Sequence, residues 1–330
     1  MEACEVMSAN SPKKTMRKKD AAAEPALSAA IWKIDRFAIH DGPGIRTNIY
    51  FKGCPLRCVW CSNPEGQHRG RELGFVKSRC TGCGLCSDSC SQRAIELRDG
   101  SLSVNFSKCS LCGQCCSACP AGALQIYGSY LSLSSIMDVV ERDRHIYRRS
   151  GGGITCTGGE PLSQAKFLQR LLAECRHEGI HTALETCGYL DSKEFRKTLA
   201  DVDWLFFDLK HVDSAHHKRL TGKDNGMILE NLRTASSVFG DAGKVLVVRQ
   251  VVVPGLNDEN NIIALAELVR GLPYVPTIEL LPYHAYGMHK YQTLRRAYPL
   301  EDAASPSEVK LKEYKEIVEG LGVSCKIGGL

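Results

Sequence analysis

From residue 31 onward, apolar positions recur in turn with the two-residue period of strands and the 3.6-residue period of helices. Residues 31–37 alternate and read as a leading strand. Residues 47–52 read as the first strand of a main sheet, running into Gly53 and Cys54. Between 70 and 128 neither period holds. That stretch is rich in Cys and Gly and reads as an inserted module. Alternation then resumes. Ser134 can cap a helix with Ile136, Val139, Val140 and Ile146 inward, and strand 153–157 leads to a helix carrying Phe167, Leu168, Leu171, Leu172 and Cys175 on one face. Strands at 181–185, 204–207, 245–251 and 278–281 follow. Helices are expected near 192–199 and 226–239, then after Asp258 with Ile262, Ile263, Ala266 and Val269 inward, and after Ser305-Pro306. Residues 323–327 read as a last strand. Strand–helix alternation without hairpin signals means parallel pairing through right-handed crossovers. Six such units are too few for a closed eight-stranded barrel, so the expected fold is α/β, a partial (β/α)6 TIM-like barrel.

Polar residues gather where these strands end. Cys54 follows the first, Gly158–Glu160 the second, Glu185–Gly188 the third and Asp208–Lys210 the fourth. Arg249 lies late in the fifth and His284 follows the sixth. In β/α barrels the C-terminal strand ends share one face, and active sites sit there.

Composition changes the picture in one respect. The net charge of +5 is mild, and part of it lies in Lys13, Lys14, Arg17, Lys18 and Lys19. Residues 1–28 read as a disordered basic tail rather than a nucleic-acid arm, because no aromatic residues interleave with the charges. There is no apolar signal stretch and no run of eighteen apolar residues, so neither secretion nor a membrane partner is expected. The seventeen cysteines are the anomaly. Eleven fall in three short runs with metal-ligand spacing, which argues for thiolates in a reducing compartment rather than disulfides.

The first run, Cys54, Cys58 and Cys61, has C-x3-C-x2-C spacing. Three thiolates can hold three irons of a [4Fe–4S] cube and leave the fourth iron open, as a catalytic metal requires. Cys80, Cys83, Cys86 and Cys90 have C-x2-C-x2-C-x3-C spacing, repeated by Cys109, Cys112, Cys115 and Cys119 before Pro120. This is the two-cluster ferredoxin pattern, in which the fourth cysteine of each run serves the other cluster. One cluster is therefore expected on Cys80, Cys83, Cys86 and Cys119, the other on Cys109, Cys112, Cys115 and Cys90. Zinc is the competing metal in each case. Cys116 is an extra, and Cys4, Cys156, Cys175, Cys187 and Cys325 are isolated.

The cysteine triplet after the first strand resembles the signature of the radical S-adenosylmethionine superfamily. Asp41-Gly42-Pro43-Gly44-Ile45-Arg46-Thr47, Gly158-Gly159-Glu160, Asp208-Leu209-Lys210, Val251-Val252-Val253-Pro254-Gly255 and Leu280-Leu281-Pro282-Tyr283-His284 are similar to stretches of the glycyl radical enzyme activating enzymes. The resemblance runs from about residue 30 to the end. It implies a barrel from 29–69 and 129–330 around a bacterial ferredoxin-like insert at 70–128. It also implies three [4Fe–4S] clusters, S-adenosylmethionine, and a monovalent cation near Glu185 and Thr186. Cys54, Cys58, Cys61 and Lys210 are the expected catalytic set. Trp60, Cys61, Ser62, Gly158, Gly159, Glu160, Glu185, Asp208, Leu209, Lys210, Arg249 and His284 are the expected cofactor contacts.

The reaction so implied is reductive cleavage of S-adenosylmethionine and removal of a hydrogen from a glycine α-carbon in a partner enzyme. It yields a glycyl radical, 5′-deoxyadenosine and methionine, in an anaerobic cytoplasm, with a flavodoxin or ferredoxin as reductant. Two other readings share part of the pattern: a radical enzyme acting on a small molecule or RNA, and a ferredoxin-like electron carrier. The first lacks a reason for Asp41–Thr47, and the second lacks one for an open iron.

Overall fold

The computed structural model describes residues 27–98, 101–240 and 243–328. All but the last two positions of the expected tail lie outside the described residues, and Ser28 already opens the first strand. One nine-stranded sheet organises the chain. Seven strands are parallel, in the spatial order Arg46–Phe51, Gly153–Gly158, His181–Thr186, Trp204–Asp208, Val245–Val252, Thr277–Pro282 and Cys325–Ile327. Sequence-adjacent units are also neighbours in space, as short right-handed crossovers dictate. Ser28–Ala38 adds antiparallel to the first of these, and Ser129–Ser132 adds antiparallel beyond it. That last strand, flanking the insert, carries no period long enough to be read from sequence.

The core lies between sheet and helices. Phe167, Leu168, Leu171, Leu172 and Cys175 are all buried, as the helical period requires. Three local expectations shift. The helix expected from Ser134 is two helices, Leu133–Arg142 and Arg144–Ser150, and Ser132 caps the first by accepting from Ser135 N. The break falls at Asp143, whose buried carboxylate takes a two-point hold from Arg36 and a bond from Thr47 Oγ1 at 3.0 Å. In Glu259–Arg270 the inward position is Leu265 rather than Ile263, and Asp258 turns back to accept from Gly255 N at 2.7 Å. The last helix starts at Glu308, capped by Ser307, not at Pro306.

The Asp41–Thr47 motif lies at the N-terminal end of its strand, at the pole opposite Cys54. Its Arg46 is fully buried and donates to Thr155 Oγ1 at 2.7 Å and Pro43 O at 3.0 Å. Gly152 packs so closely on this turn that a Cβ would overlap the Ile45 carbonyl. Gly152→Ala should therefore cost roughly 3 kcal/mol or more, because backbone cannot yield as a side chain can. A urea midpoint that stays at the wild-type value would show the turn to be pliable.

Residues 70–128 form two small antiparallel pairs, Glu72–Phe75 with Leu124–Tyr127 and Ile95–Arg98 with Ser101–Val104. Two one-turn helices, Leu85–Asp88 and Gln114–Ser117, begin after Gly84 and Gly113, both left-handed. At the matching step two positions earlier stand Gly82 at φ 74° and Leu111 at φ 54°, so the second run adopts for Leu a conformation its twin gives to Gly. Glu72 ties this part to the sheet. It meets buried Lys52 at 3.1 Å, pairs with Arg296, and lies 3.5 Å from His68.

Candidate active site

Strand ends and the loops after them enclose a cavity of about 370 Å³. Cys54, Cys58 and Cys61 border it, with Trp60, Ser62, Gly158, Gly159, Glu160, Glu185, Asp208, Lys210 and His284. Two expected contacts do not reach it. Leu209 is fully buried in the main core, with its N–H bonded to Arg249 O at 3.0 Å. Arg249 lies beneath the cavity, where Glu185 at 3.3 Å and Glu279 supply the anions a buried arginine needs, and its guanidinium covers the Phe206 ring at 3.4 Å. Arg249 thus acts on the cavity through Glu185, which borders it.

The cysteine loop is clamped between two strand ends. Gly159 N and Glu160 N donate to Phe51 O and Gly53 O, both at 2.8 Å, and Gly53 N donates to Gly66 O at 2.7 Å. A Cβ on Gly66 would stand 2.6 Å from Gly159 N. The expectation was that Gly158-Gly159 leaves room for a ligand; the reason the structure gives for these glycines is the close approach of two backbone loops. Glu160 is likewise engaged within the protein. It accepts from Leu162 N at 3.0 Å, Thr186 Oγ1 at 2.7 Å and Cys187 N at 2.8 Å, and burial pushes its carboxyl up.

Lys210 and Asp208 form a part-buried pair at 2.8 Å on the cavity wall. Burial pulls the Lys210 ammonium down, but Asp208 and the Cys58 sulfur outweigh it, so the net shift is upward. Buried amides hold the loop that presents them. Asn257 Nδ2 donates to Lys210 O at 3.3 Å, and Asn225 Nδ2 to His211 O at 3.0 Å and Val212 O at 2.6 Å. Asn261 accepts from Val212 N at 2.8 Å and donates to Gln250 at 2.9 Å. Sequence reading missed these amides, although Asn257 sits beside the Pro254-Gly255 turn already singled out. It also missed Asn63, Thr157, Tyr283 and Tyr286 in the lining. Glu185 accepts from Thr157 Oγ1; burial and Asp208 push its carboxyl up, against Arg249. Trp60 is only 5% exposed and packs among Leu220, Val253, Tyr283, Tyr291 and Tyr298, so it fills core as well as lining the cavity. His284 stacks on Tyr286 at 4.8 Å.

The donor set fits an iron–sulfur cluster. Cys54, Cys58 and Cys61 are free thiols on one loop. Burial pushes all three up, Cys58 to about 12, against the pull of Lys210 on Cys58 and Cys61, and a bound metal would favour their thiolates. Among the described residues, no three His, Cys, Asp or Glu converge as a single metal ion would need. A zinc site draws its sulfurs to about 2.3 Å from one point, whereas a cube takes each on a separate iron. Trp60 Nε1 is buried at the cavity without a partner. In the insert, Cys80, Cys83, Cys86 and Cys119 border one hollow, and Cys90, Cys109, Cys112 and Cys115 border another. Ala94 N donates to Cys90 Sγ and Ala123 N to Cys119 Sγ, both at 3.3 Å, a matched pair. Cys116 borders neither hollow. Cys187 is buried on the cavity wall, while Cys156, Cys175 and Cys325 are core residues.

Residues 79–123 match the 4Fe-4S dicluster domain model, and residues 107–267 match that of the radical SAM superfamily. The trans-4-hydroxy-L-proline dehydratase activating enzyme of Clostridioides difficile is 36% identical, over 92% of this chain and 100% of its own. This chain is a glycyl radical enzyme activating enzyme by family. The isethionate sulfite-lyase activating enzyme of Oleidesulfovibrio alaskensis is 43% identical over 84% of this chain and 91% of its own. Among solved structures, a domain of pyruvate-formate lyase-activating enzyme from Bacteroides vulgatus is 30% identical. It covers 54% of this chain and 99% of its own, with a TM-score of 0.45. As a radical SAM activating enzyme the chain is of oxidoreductase type, with a [4Fe–4S] cluster and S-adenosylmethionine as the family's cofactors. No described helix is long and apolar enough to cross a membrane.

Proposed function

We propose that this chain installs a glycyl radical in a partner enzyme, cleaving S-adenosylmethionine reductively to 5′-deoxyadenosine and methionine. The observation that carries it is a single cavity bordered by three free thiols of one loop and by the Lys210–Asp208 pair. When bound, the cluster would supply the one electron that breaks the bond between the sulfonium sulfur and the 5′ carbon, releasing methionine and leaving the 5′ carbon to take the glycine hydrogen. The chain's own residues bind and orient. Cys54, Cys58 and Cys61 hold three irons. Lys210 presents positive charge to the methionyl carboxylate, and Asp208 keeps that ammonium in place. Glu160 and Thr186 brace the loop of Cys187. Glu185, held by Thr157 and Arg249, offers a carboxylate for a monovalent cation. His284 and Trp60 flank the adenosine end. No general base is required, because precise placement rather than proton transfer limits such chemistry.

The open parallel sheet fits a partial barrel spanning 29–69 and 129–330, with 70–128 as a ferredoxin-like insert. The paired hollows support two further clusters, on Cys80, Cys83, Cys86 and Cys119 and on Cys109, Cys112, Cys115 and Cys90, three in all. These relay electrons from a flavodoxin or ferredoxin in an anaerobic cytoplasm. Cys83→Ser should leave the SAM-responsive cluster in place and slow its reduction by a protein donor. Loss of all three clusters in that variant would make the insert a folding element. The relatives' named partners include a dehydratase and a sulfite-lyase at 36 and 43% identity, so identity alone selects no partner. The deciding experiment is anaerobic reconstitution, reduction and addition of S-adenosylmethionine. 5′-Deoxyadenosine is the expected product, and a glycyl radical signal should follow when a glycyl radical enzyme is supplied. Absence of product from a fully loaded protein, with the partner present, would leave electron transfer as the function.

A further inference from the structure

We infer that His217, which is not among the residues lining the cavity, is the positioning residue for the loop that carries Cys58. The inference rests on the reading that Cys54, Cys58 and Cys61 hold a cluster.

His217 lies in the helix Ser214–Thr221, which follows the Lys210 loop, and it is fully buried. Its Nδ1 stands 2.7 Å from Lys223 O and 3.1 Å from Thr221 Oγ1. A carbonyl can only accept, so Nδ1 carries the proton and donates to Lys223 O. Nε2 is then an unprotonated acceptor, buried without a partner. Burial pulls the ring's affinity for a second proton down, which keeps it neutral. A leucine would fill the same space without an orphaned nitrogen. What the imidazole adds is the shorter of two bonds that pin Lys223 O back on the helix, Thr221 Oγ1 giving the other at 3.3 Å, behind the turn that Gly222, at φ 83°, closes by donating to Lys218 O at 2.8 Å.

That turn touches the cysteine loop through its backbone. Arg57 N donates to Thr221 O at 2.7 Å, and Val59 N donates to Leu220 O at 3.1 Å. The two amides flank Cys58 on either side. Leu220 also packs in the apolar cluster that holds Trp60, with Cys58, Val59 and Cys61 against it. Cys58 is the middle thiol of its loop, and among the described residues its own backbone is held through the Cys61 N–Cys58 O turn at 3.1 Å. Three sulfurs must meet three irons at once, so a shift of the turn is a shift of one ligand against two. The chain of causes runs from the His217 ring to Lys223, to the Leu220 and Thr221 carbonyls, and so to Cys58.

The test uses the full chain, reconstituted anaerobically, as His217→Leu and His217→Asn. The asparagine amide can donate to Lys223 O from about the place of Nδ1; leucine cannot. Iron content and the EPR spectrum of reduced protein, with and without S-adenosylmethionine, are the readouts. The insert's clusters serve as the internal standard. In the leucine variant the SAM-responsive signal should fall about tenfold, the effect of one buried hydrogen bond lost, while the insert signals hold. The asparagine variant should recover most of it. A leucine variant with the wild-type SAM response overturns the inference. So does equal loss of every cluster in both variants, which would make His217 a packing residue. Wild-type protein with no SAM-responsive signal would sink the reading of the three cysteines, and this inference with it.

Discussion

Cys58→Ala abolishes 5′-deoxyadenosine production while the protein still takes up about eight of about twelve irons. The expectation follows from where the thiol stands. Cys58 is one of three free thiols of a single loop, and that loop is held by backbone bonds to Gly66, Gln67, Leu220 and Thr221 rather than by the metal. Removing one sulfur therefore leaves the loop folded and the cavity present, with two ligands where three are needed. The eight insert cysteines border separate hollows and are untouched. Iron assay and chromatography of the reaction mixture check both halves. Retained cleavage by the variant would show that the radical cluster is held elsewhere. Loss of all iron would show that the three sites assemble as one unit.

Lys210→Met weakens S-adenosylmethionine binding by about a hundredfold, since removing one member of a part-buried, hydrogen-bonded charged pair costs about 3 kcal/mol. Two effects add. The cavity loses its cation, and Asp208 is left as an unpaired carboxylate facing an anionic ligand group. Arginine at the same place keeps the charge but brings a wider, planar head into the cavity wall that Cys58 also borders, so Lys210→Arg should recover only part of the affinity. Equilibrium binding of S-adenosylmethionine to oxidised, cluster-loaded protein measures this apart from turnover. Unchanged affinity in the methionine variant would mean that the pair is structural and that its charge is spent on Asp208 alone.

Much of the site was legible because its signals are local. Thiolate spacing on one loop is a property of a few consecutive residues, and so is the placement of Glu160, Asp208 and His284 just beyond apolar strand periods. Parallel order then carries every strand end to one face. The gathering of Cys54, Glu160, Glu185, Asp208, Lys210 and His284 around one cavity thus follows from alternation alone. The grouping of the eight cysteines was legible for the same reason: in a repeated four-cysteine run, the fourth cysteine of each run borders the hollow lined by the other three of its twin.

Tertiary packing decided how the polar atoms are spent. Glu160 has the look of a ligand contact in sequence, yet it accepts from three groups of its own protein. Arg249 lies in the right strand but is drawn beneath the cavity by Glu185 and Glu279, and Leu209 turns into the core between two residues that do not. The helix break at Asp143 exists because Arg36 and Thr47, about a hundred positions earlier, offer that carboxylate better bonds than water. His217 and the amides of Asn225, Asn257 and Asn261 leave no periodic trace, since their partners are backbone atoms of distant loops. Period and spacing describe neighbours along the chain, and so the sequence alone determined most of the elements, their parallel order and the grouping of the cysteines. Which buried donor meets which acceptor depends on side chains brought together only when those elements pack, and the tertiary structure decided that.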